Sequence, residues 1–339
     1  MLETKPVSPV LPLKLTTETR MRFSLLKLLK QSFRTNRLLT LFGLMMIISL
    51  GASITGLLID HRTLLGVPIW DKPIKFSISL ALYGFSLIWI LSYLKGHPRI
   101  IAVVSTITSV AFLAEMVIII IQVIRGVSSH FNVATSFDGA MFGMMGMFIM
   151  VFWFANFVAA IYLLFQPFDD PAFAWSLRLA LILTLAGAAL GFLMTTQHTP
   201  EQQLALDLHQ KLTSNGGHSI GVNDGGPGLP FLGWSTVGGD LRIPHFIGLH
   251  ALQIIPLLGW FILRYTRTGF SKAHRVALVW LAGLGYGGLI ALFTWQALRG
   301  QSIIAPDALT LGSFAALVGG VSLIGGGIIL HARRQERRN

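Results

Sequence analysis

The sequence predicts an all-α integral membrane protein: eight transmembrane helices in two tandem four-helix halves, with both termini cytoplasmic. Three observations predict this. Hydrophobic residues make up 53% of the chain and charged residues 12%, a balance unlike that of a soluble domain. Several apolar runs exceed the roughly 20 residues that a helix needs to cross a bilayer. A set of polar signatures also recurs, in the same order, in the two halves of the chain.

Residues 1–38 form a basic tail. From Met21 to Arg37, apolar Phe23, Leu25, Leu26, Leu28, Leu29 and Phe33 interleave with Arg22, Lys27, Lys30, Arg34 and Arg37. That pattern suits either an amphipathic helix on anionic lipid headgroups or a solvated basic tail that sets topology. The first apolar run is long enough to span, so it reads as a first span rather than a cleavable signal. The expected spans are Leu39–Leu58, Phe76–Leu94, Ile101–Ile124, Gly139–Phe165, Leu177–Met194, Pro244–Leu263, Val276–Leu298 and Ala308–Leu330. They divide the chain into a first half (39–165), a second half (166–331) with a long loop (197–243), and a basic tail (332–339).

Lysine and arginine set the orientation. The tail, Lys95, Arg99, Arg178, Arg264, Arg267, Lys272, Arg275, Arg333, Arg334, Arg337 and Arg338 share one side. The other holds Arg62, Lys72, Lys75, Arg125, Lys211, Arg242 and Arg299. The richer side is expected to be cytoplasmic, in a bacterial inner membrane. The net charge of +12 therefore follows the membrane and points away from nucleic acid. The chain has no cysteine, which excludes disulfides and thiolate metal sites.

The repeat rests on matched positions. Gln122-Val-Ile-Arg125-Gly126 ends the third span and Gln296-Ala-Leu-Arg299-Gly300 the seventh. Asp71-Lys-Pro-Ile-Lys75-Phe76 opens the second and Asp240-Leu-Arg242-Ile-Pro-His245-Phe246 the sixth, and Asp138 and Asp307 precede the fourth and eighth. Tandem halves with an even number of spans share one orientation, related by an axis along the membrane normal. Ordinary helix ends also carry Asp, Pro, Arg and Gly.

The outer face gathers the chemistry. Glu115 lies in mid-span, about 10 Å below Gln122 along the helix, where a carboxyl is costly and a functional candidate by default. His250 and Gln253 share a helix face three residues apart. Glu115, His250 and Gln253 are the candidate catalytic groups. His130, His245 and His250 are candidate metal ligands, though His245 and His250 lack the i, i+4 spacing of a helical zinc motif. Lys75, Gln122, Arg125, Arg242, Gln296 and Arg299 are the candidate binders of a small anionic or lipid-like substrate. Snorkelling to headgroups would place the same cations there.

The loop reads as a short helix from Thr199-Pro-Glu-Gln202 to about Leu212, burying Leu204, Leu208 and Leu212, followed by a glycine-rich stretch expected to lie over the site as a lid. Met141, Met144, Met145, Met147 and Met150 suit adaptable packing more than copper.

The four-plus-four plan is similar to that of haem A synthases in helix number alone. The histidines that family would place on spans four and eight are absent, save His331 at the inner end of the last. The leading expectation is a membrane-embedded enzyme or redox protein that uses a metal or haem, or acid–base groups, on an outward face. A proton-coupled transporter, or a sensor or assembly factor acting through the loop, is the alternative.

Overall fold

The computed structural model describes residues 25–266 and 269–337. Arg22 and Phe23 of the basic stretch, together with Arg267 and Arg338, lie outside them.

The chain is helical, with short strands in the loops. The helices are α1 (Leu25–Thr35), α2 (Arg37–Ile59), α3 (Asp71–Leu91), α4 (Pro98–Arg125), α5 (Ser136–Phe165), α6 (Pro171–Thr196), α7 (Pro200–Asp207), α8 (Arg242–Leu249), α9 (Ala251–Tyr265), α10 (Lys272–Leu298) and α11 (Ala308–Glu336). Among the described residues, seven helices are long and apolar enough to cross a membrane, or eight if α8 and α9, bent by 49°, form one span. These elements overlap the expected apolar runs, with ends displaced by up to several residues, as in α3 (Asp71–Leu91 against Phe76–Leu94). The expected sixth span is broken in the structure at Leu249–His250, beside Gly248.

Capping chemistry sets most helix starts. The Asn36 side chain accepts from Leu39 N, Thr135 from Asp138 N, Asp170 from Ala172 and Phe173 N, and Asp307 from Thr310 N. Each satisfies an amide that the helix leaves without a partner. At the end of α4, Gly126 adopts φ 75°, and Gly300 after α10 adopts φ 70°, the left-handed conformation that glycine takes without strain.

Alternate helix ends gather at two levels. The turn after α3, the α5–α6 and α9–α10 connections and the end of α11 meet at the terminus end. There Arg178 donates to Gln166 O, and His274 Nε2 lies 2.9 Å from His331 Nδ1. The opposite, loop end carries a β-hairpin (β1 Thr63–Leu64, β2 Val67–Pro68), the 126–135 turn, the long loop and the 300–307 turn. Helices α2–α5 pack together, and α6 packs on α8, α9 and α10. A shared core of Leu80, Phe112, Phe152, Leu177, Leu181 and Leu252 joins the two groups. At the α6–α8 crossing, Gly187 and Gly248 meet backbone to backbone, and a Cβ on either would collide with the other. Small residues give such close approach in membrane helices.

The long loop is tied down. Thr199 and Gln202 form the expected capping box. Gln202 Nε2 also donates to Gly216 O at 2.8 Å. The helix is shorter than expected and ends at Asp207, because His209 adopts φ 55°. Leu204 and Leu208 are exposed rather than buried. Beyond it, Asn132 bridges to Ser214, and β3 (Ser219–Ile220) pairs with β4 (Gly239–Asp240). Of the α5 methionines, Met145 is buried beside Ile118 and Ile119, whereas Met144, Met147 and Met150 face outward.

Candidate functional site

The N-terminal turns of α3 and α8 deliver Lys72, Lys75, Arg242 and His245 to the loop end. Trp70 fixes the entry to α3 by donating from Nε1 to Asp60 Oδ2 at 2.9 Å. Asp240 fixes the entry to α8. Its carboxylate is fully buried and accepts from Ser235 N, Arg242 N and the Arg242 guanidinium. A buried charge survives only when so compensated.

A partly buried chain of polar groups lies beside them. Lys72 Nζ sits 2.9 Å from His130 Nδ1, and His130 Nε2 lies 3.3 Å from Glu115 Oε1. An ammonium can only donate, so Nδ1 accepts and Nε2 carries the proton, which faces Glu115 across that contact. Glu115 is 3% exposed, and its Oε2 has no partner among the described residues. Lys72 is the one cation of the cluster without an ion pair among the described residues; Lys75 has Asp71 at 3.6 Å and Arg242 has Asp240.

A second histidine–carboxylate pair comes from the long loop. His218 Nδ1 lies 2.9 Å from Asp224 Oδ2, and the same carboxylate accepts from His218 N and Ser219 N. The His218 ring packs edge-on to Phe131, the neighbour of His130. Burial lowers the pKa of His130 well below the usual histidine value, helped by Lys72, His218 and His245. Burial, then Arg242, lowers that of His218 despite Asp224. Burial would raise the Asp224 carboxyl, but the hydrogen bonds from His218 and Ser219 outweigh it and hold the group well below the usual carboxylate range. Both histidines are therefore neutral bases at neutral pH.

The glycine-rich stretch is clamped from beneath. Lys75 Nζ donates to Phe231 O at 2.8 Å, and Arg242 Nη2 donates to Gly233 O at 2.6 Å. Gly225 rests against Leu65 of the hairpin.

Of the residues singled out in the sequence, Glu115, His130, Lys75, Arg242 and His245 gather at this end. The ligand set of His130, His245 and His250 does not assemble. Among the described residues, no group of three or more His, Asp or Glu side chains is placed to hold a metal ion. His245 Nδ1 donates to Gly187 O at 2.8 Å, its ring lodged against Gly191. His250 sits at the break between α8 and α9 and turns to Gln253 Oε1 at 3.3 Å, while Gln253 Nε2 donates to Ser86 Oγ of α3 at 3.0 Å.

All three arginines expected to bind an anion are already engaged, Arg242 with Asp240 as above. Arg125 pairs with Asp138, which also accepts from Gln122 and Thr135, and its guanidinium lies 4.6 Å from the Phe137 ring centre. Arg299 pairs with Asp307, 4.5 Å from the Trp295 ring centre, and Gln296 donates to Ser302 O. Arg125 and Arg299 each close the turn between two helices. The expected excess of positive charge is also offset: Lys72, Lys75 and Arg242 face Asp71, Glu115, Asp224 and Asp240.

Sequence reasoning missed His218 and Asp224 as a pair, and Lys72 as the partner of His130. Asn223-Asp224-Gly225-Gly226 is a turn signal that could have placed Asp224 at a reversal next to His218.

No family model matches the chain, and neither a curated protein nor a solved structure matches it.

Proposed function

We propose that this is a multi-pass protein of the bacterial inner membrane with an outward-facing acid–base site, closed by the glycine-rich loop acting as a lid. The one observation that carries this reading is the approach of two histidine–carboxylate pairs, His130–Glu115 at the end of the bundle and His218–Asp224 within the long loop, with the His218 ring packed on Phe131. A neutral histidine oriented by a carboxylate is suited to take a proton from a substrate or return one. His218, with Nδ1 donating to Asp224, keeps Nε2 free as the base. Lys72, with donors to spare, is the docking group for a small anionic or lipid-like substrate. His250 and Gln253 brace the break in the sixth span against α3.

The wider organisation follows the same reading. Eight spans form two tandem halves, each closed at the outer side by an arginine–aspartate clasp, Arg125–Asp138 or Arg299–Asp307. The termini are cytoplasmic, and α1, whose Leu25 and Leu26 are exposed, lies on anionic headgroups.

Untargeted mass spectrometry of lipids and small molecules tests this, comparing cells that express the wild-type protein with cells that express Glu115→Gln or His218→Asn. One compound class should accumulate in both variants and fall with the wild type. Identical profiles overturn the acid–base reading.

A second reading, a transporter, is favoured by the bend of 49° between α8 and α9, since broken helices form substrate sites between transporter halves. It predicts that cysteine probes at the depth of Glu115 react from each side in turn.

A further inference from the structure

We infer that a proton path leads inward from Glu115, through the interior of the first four-helix half, to the terminus end of the protein. The inference rests on the Glu115–His130 geometry used above, but not on any substrate chemistry there.

The path follows one face of α4. Thr108, Glu115 and Gln122 stand at intervals of seven residues, so they share a face, each step rising about 10 Å. Below Glu115, polar side chains continue where a membrane interior would ordinarily be apolar. Thr108 Oγ1 accepts from Asn156 Nδ2 at 3.4 Å, and Asn156 Oδ1 accepts from Tyr83 OH at 3.2 Å. All three residues are buried. Further down, Asn36, which caps α2, donates from Nδ2 to Ser105 Oγ at 2.5 Å. The polar string thus reaches the terminus end. The sequence alone shows little of it, because Tyr83 comes from α3, Asn156 from α5 and Asn36 from the cap of α2.

Two atoms on this line lack partners. Glu115 Oε2 and Ser109 Oγ are buried with no hydrogen bond among the described residues, although an unsatisfied polar group in the hydrocarbon region costs several kcal/mol. Both are nine-tenths buried or more. They flank Phe112, whose ring lies 4.4 Å from Phe152 and 5.3 Å from Tyr83. Unpartnered groups on either side of an aromatic cluster are what a gated proton wire requires: water joins them when the rings part, and conduction stops when they close.

The entry step balances. Lys72 Nζ–H donates to His130 Nδ1, and His130 Nε2–H faces Glu115 Oε1 at 3.3 Å. A proton moving from Lys72 to Nδ1, as Nε2 releases one to Glu115, leaves the histidine neutral in its other tautomer. The ring then swings to water at the loop end, takes a proton on Nε2 and returns its Nδ1 proton to the neutral Lys72 amine, which restores both groups with one proton drawn from the solution. Glu115 then holds the proton for the hydroxyl groups below.

Purified protein reconstituted in phospholipid vesicles tests this. A potassium gradient with valinomycin supplies the voltage, and an enclosed pH dye reads proton entry. The wild-type protein should acidify the vesicles faster than protein-free controls. Glu115→Gln should return the rate to that control, and Thr108→Val, which keeps its volume but loses the hydroxyl, should lower it several-fold. Ser53→Ala, a buried unpartnered hydroxyl away from this line, should leave it unchanged, and unfolding midpoints in detergent check that each variant is folded. A wild-type rate equal to that of empty vesicles overturns the path, as does a Thr108→Val rate equal to the wild type. An altered metabolite profile in Glu115→Gln without proton flux leaves the acid–base site standing and removes the path. Flux with an unaltered profile does the reverse.

Discussion

His130 reaches Glu115 from a loop, not from a helix: its Nε2 lies 3.3 Å from Glu115 Oε1, while its Nδ1 faces Lys72 Nζ at 2.9 Å. A single imidazole thus joins a lysine at the loop end to a carboxyl within the bundle. This junction has a measurable energetic signature. Glu115→Ala removes the carboxyl that faces the part-buried Nε2 proton, a loss of about 0.5–1.5 kcal/mol. Glu115→Gln keeps an acceptor oxygen and should lose less. Chemical unfolding in detergent, compared across the three proteins, checks the order.

Acid should destabilise the site. Burial lowers the pKa of both His130 and His218, so the unfolded chain binds protons that the folded one refuses. The stabilisation is complete above the unfolded histidine value of about 6.5 and declines as pH falls below it, by about 1.4 kcal/mol per pH unit for each histidine until its folded pKa is reached. Unfolding midpoints measured from pH 7.5 down to pH 5 should fall, and His218→Asn should flatten the decline.

Lys75 and Arg242 hold the glycine-rich loop through its carbonyls. Lys75→Met removes the bonds to Phe231 O and Leu232 O while leaving the Asp240–Arg242 pair intact. The stretch from 225 to 233 should then be cut faster by protease added to the loop-end side. Arg242→Ala should also unfold more easily, by about 3–5 kcal/mol, because it strands the buried Asp240 carboxylate.

The α6–α8 crossing has no room for a methyl group. Gly187→Ala and Gly248→Ala each place a Cβ against the opposite backbone. Overpacking of this kind costs about 1–3 kcal/mol. Gly143→Ala, on an open face of α5, should cost nothing measurable. The contrast in unfolding midpoint is the check.

The fold was legible because span length is a property of a single segment. Apolar runs, capping residues such as Asp307 and the glycine at Gly126 each announce themselves locally. The site was legible only in part. Glu115 was visible as a carboxyl in mid-span, and Lys75, Arg242 and His245 as polar groups at span ends. Their partners were not, because Lys72 meets His130, and His250–Gln253 meets Ser86, only once helices from different regions pack. His218–Asp224 sits in an irregular loop, where no periodicity marks a face. Arg125 and Arg299 looked available in sequence, but each has an aspartate within reach across one turn, and only the folded turn reveals that the charge is spent there. The break at His250 was hidden for a similar reason. Gly248 allows it, but close packing against Gly187 makes that glycine necessary.

The most direct measurement is the protonation state of His130, read from nitrogen NMR spectra of histidine-labelled protein in lipid bilayers, with His130→Asn used to assign the signal. The account predicts a neutral ring at pH 7 with the proton on Nε2, and loss of that tautomer preference in Lys72→Met. A charged imidazolium at pH 7, or a proton on Nδ1, would contradict the chain from Lys72 through His130 to Glu115 and the acid–base reading built on it.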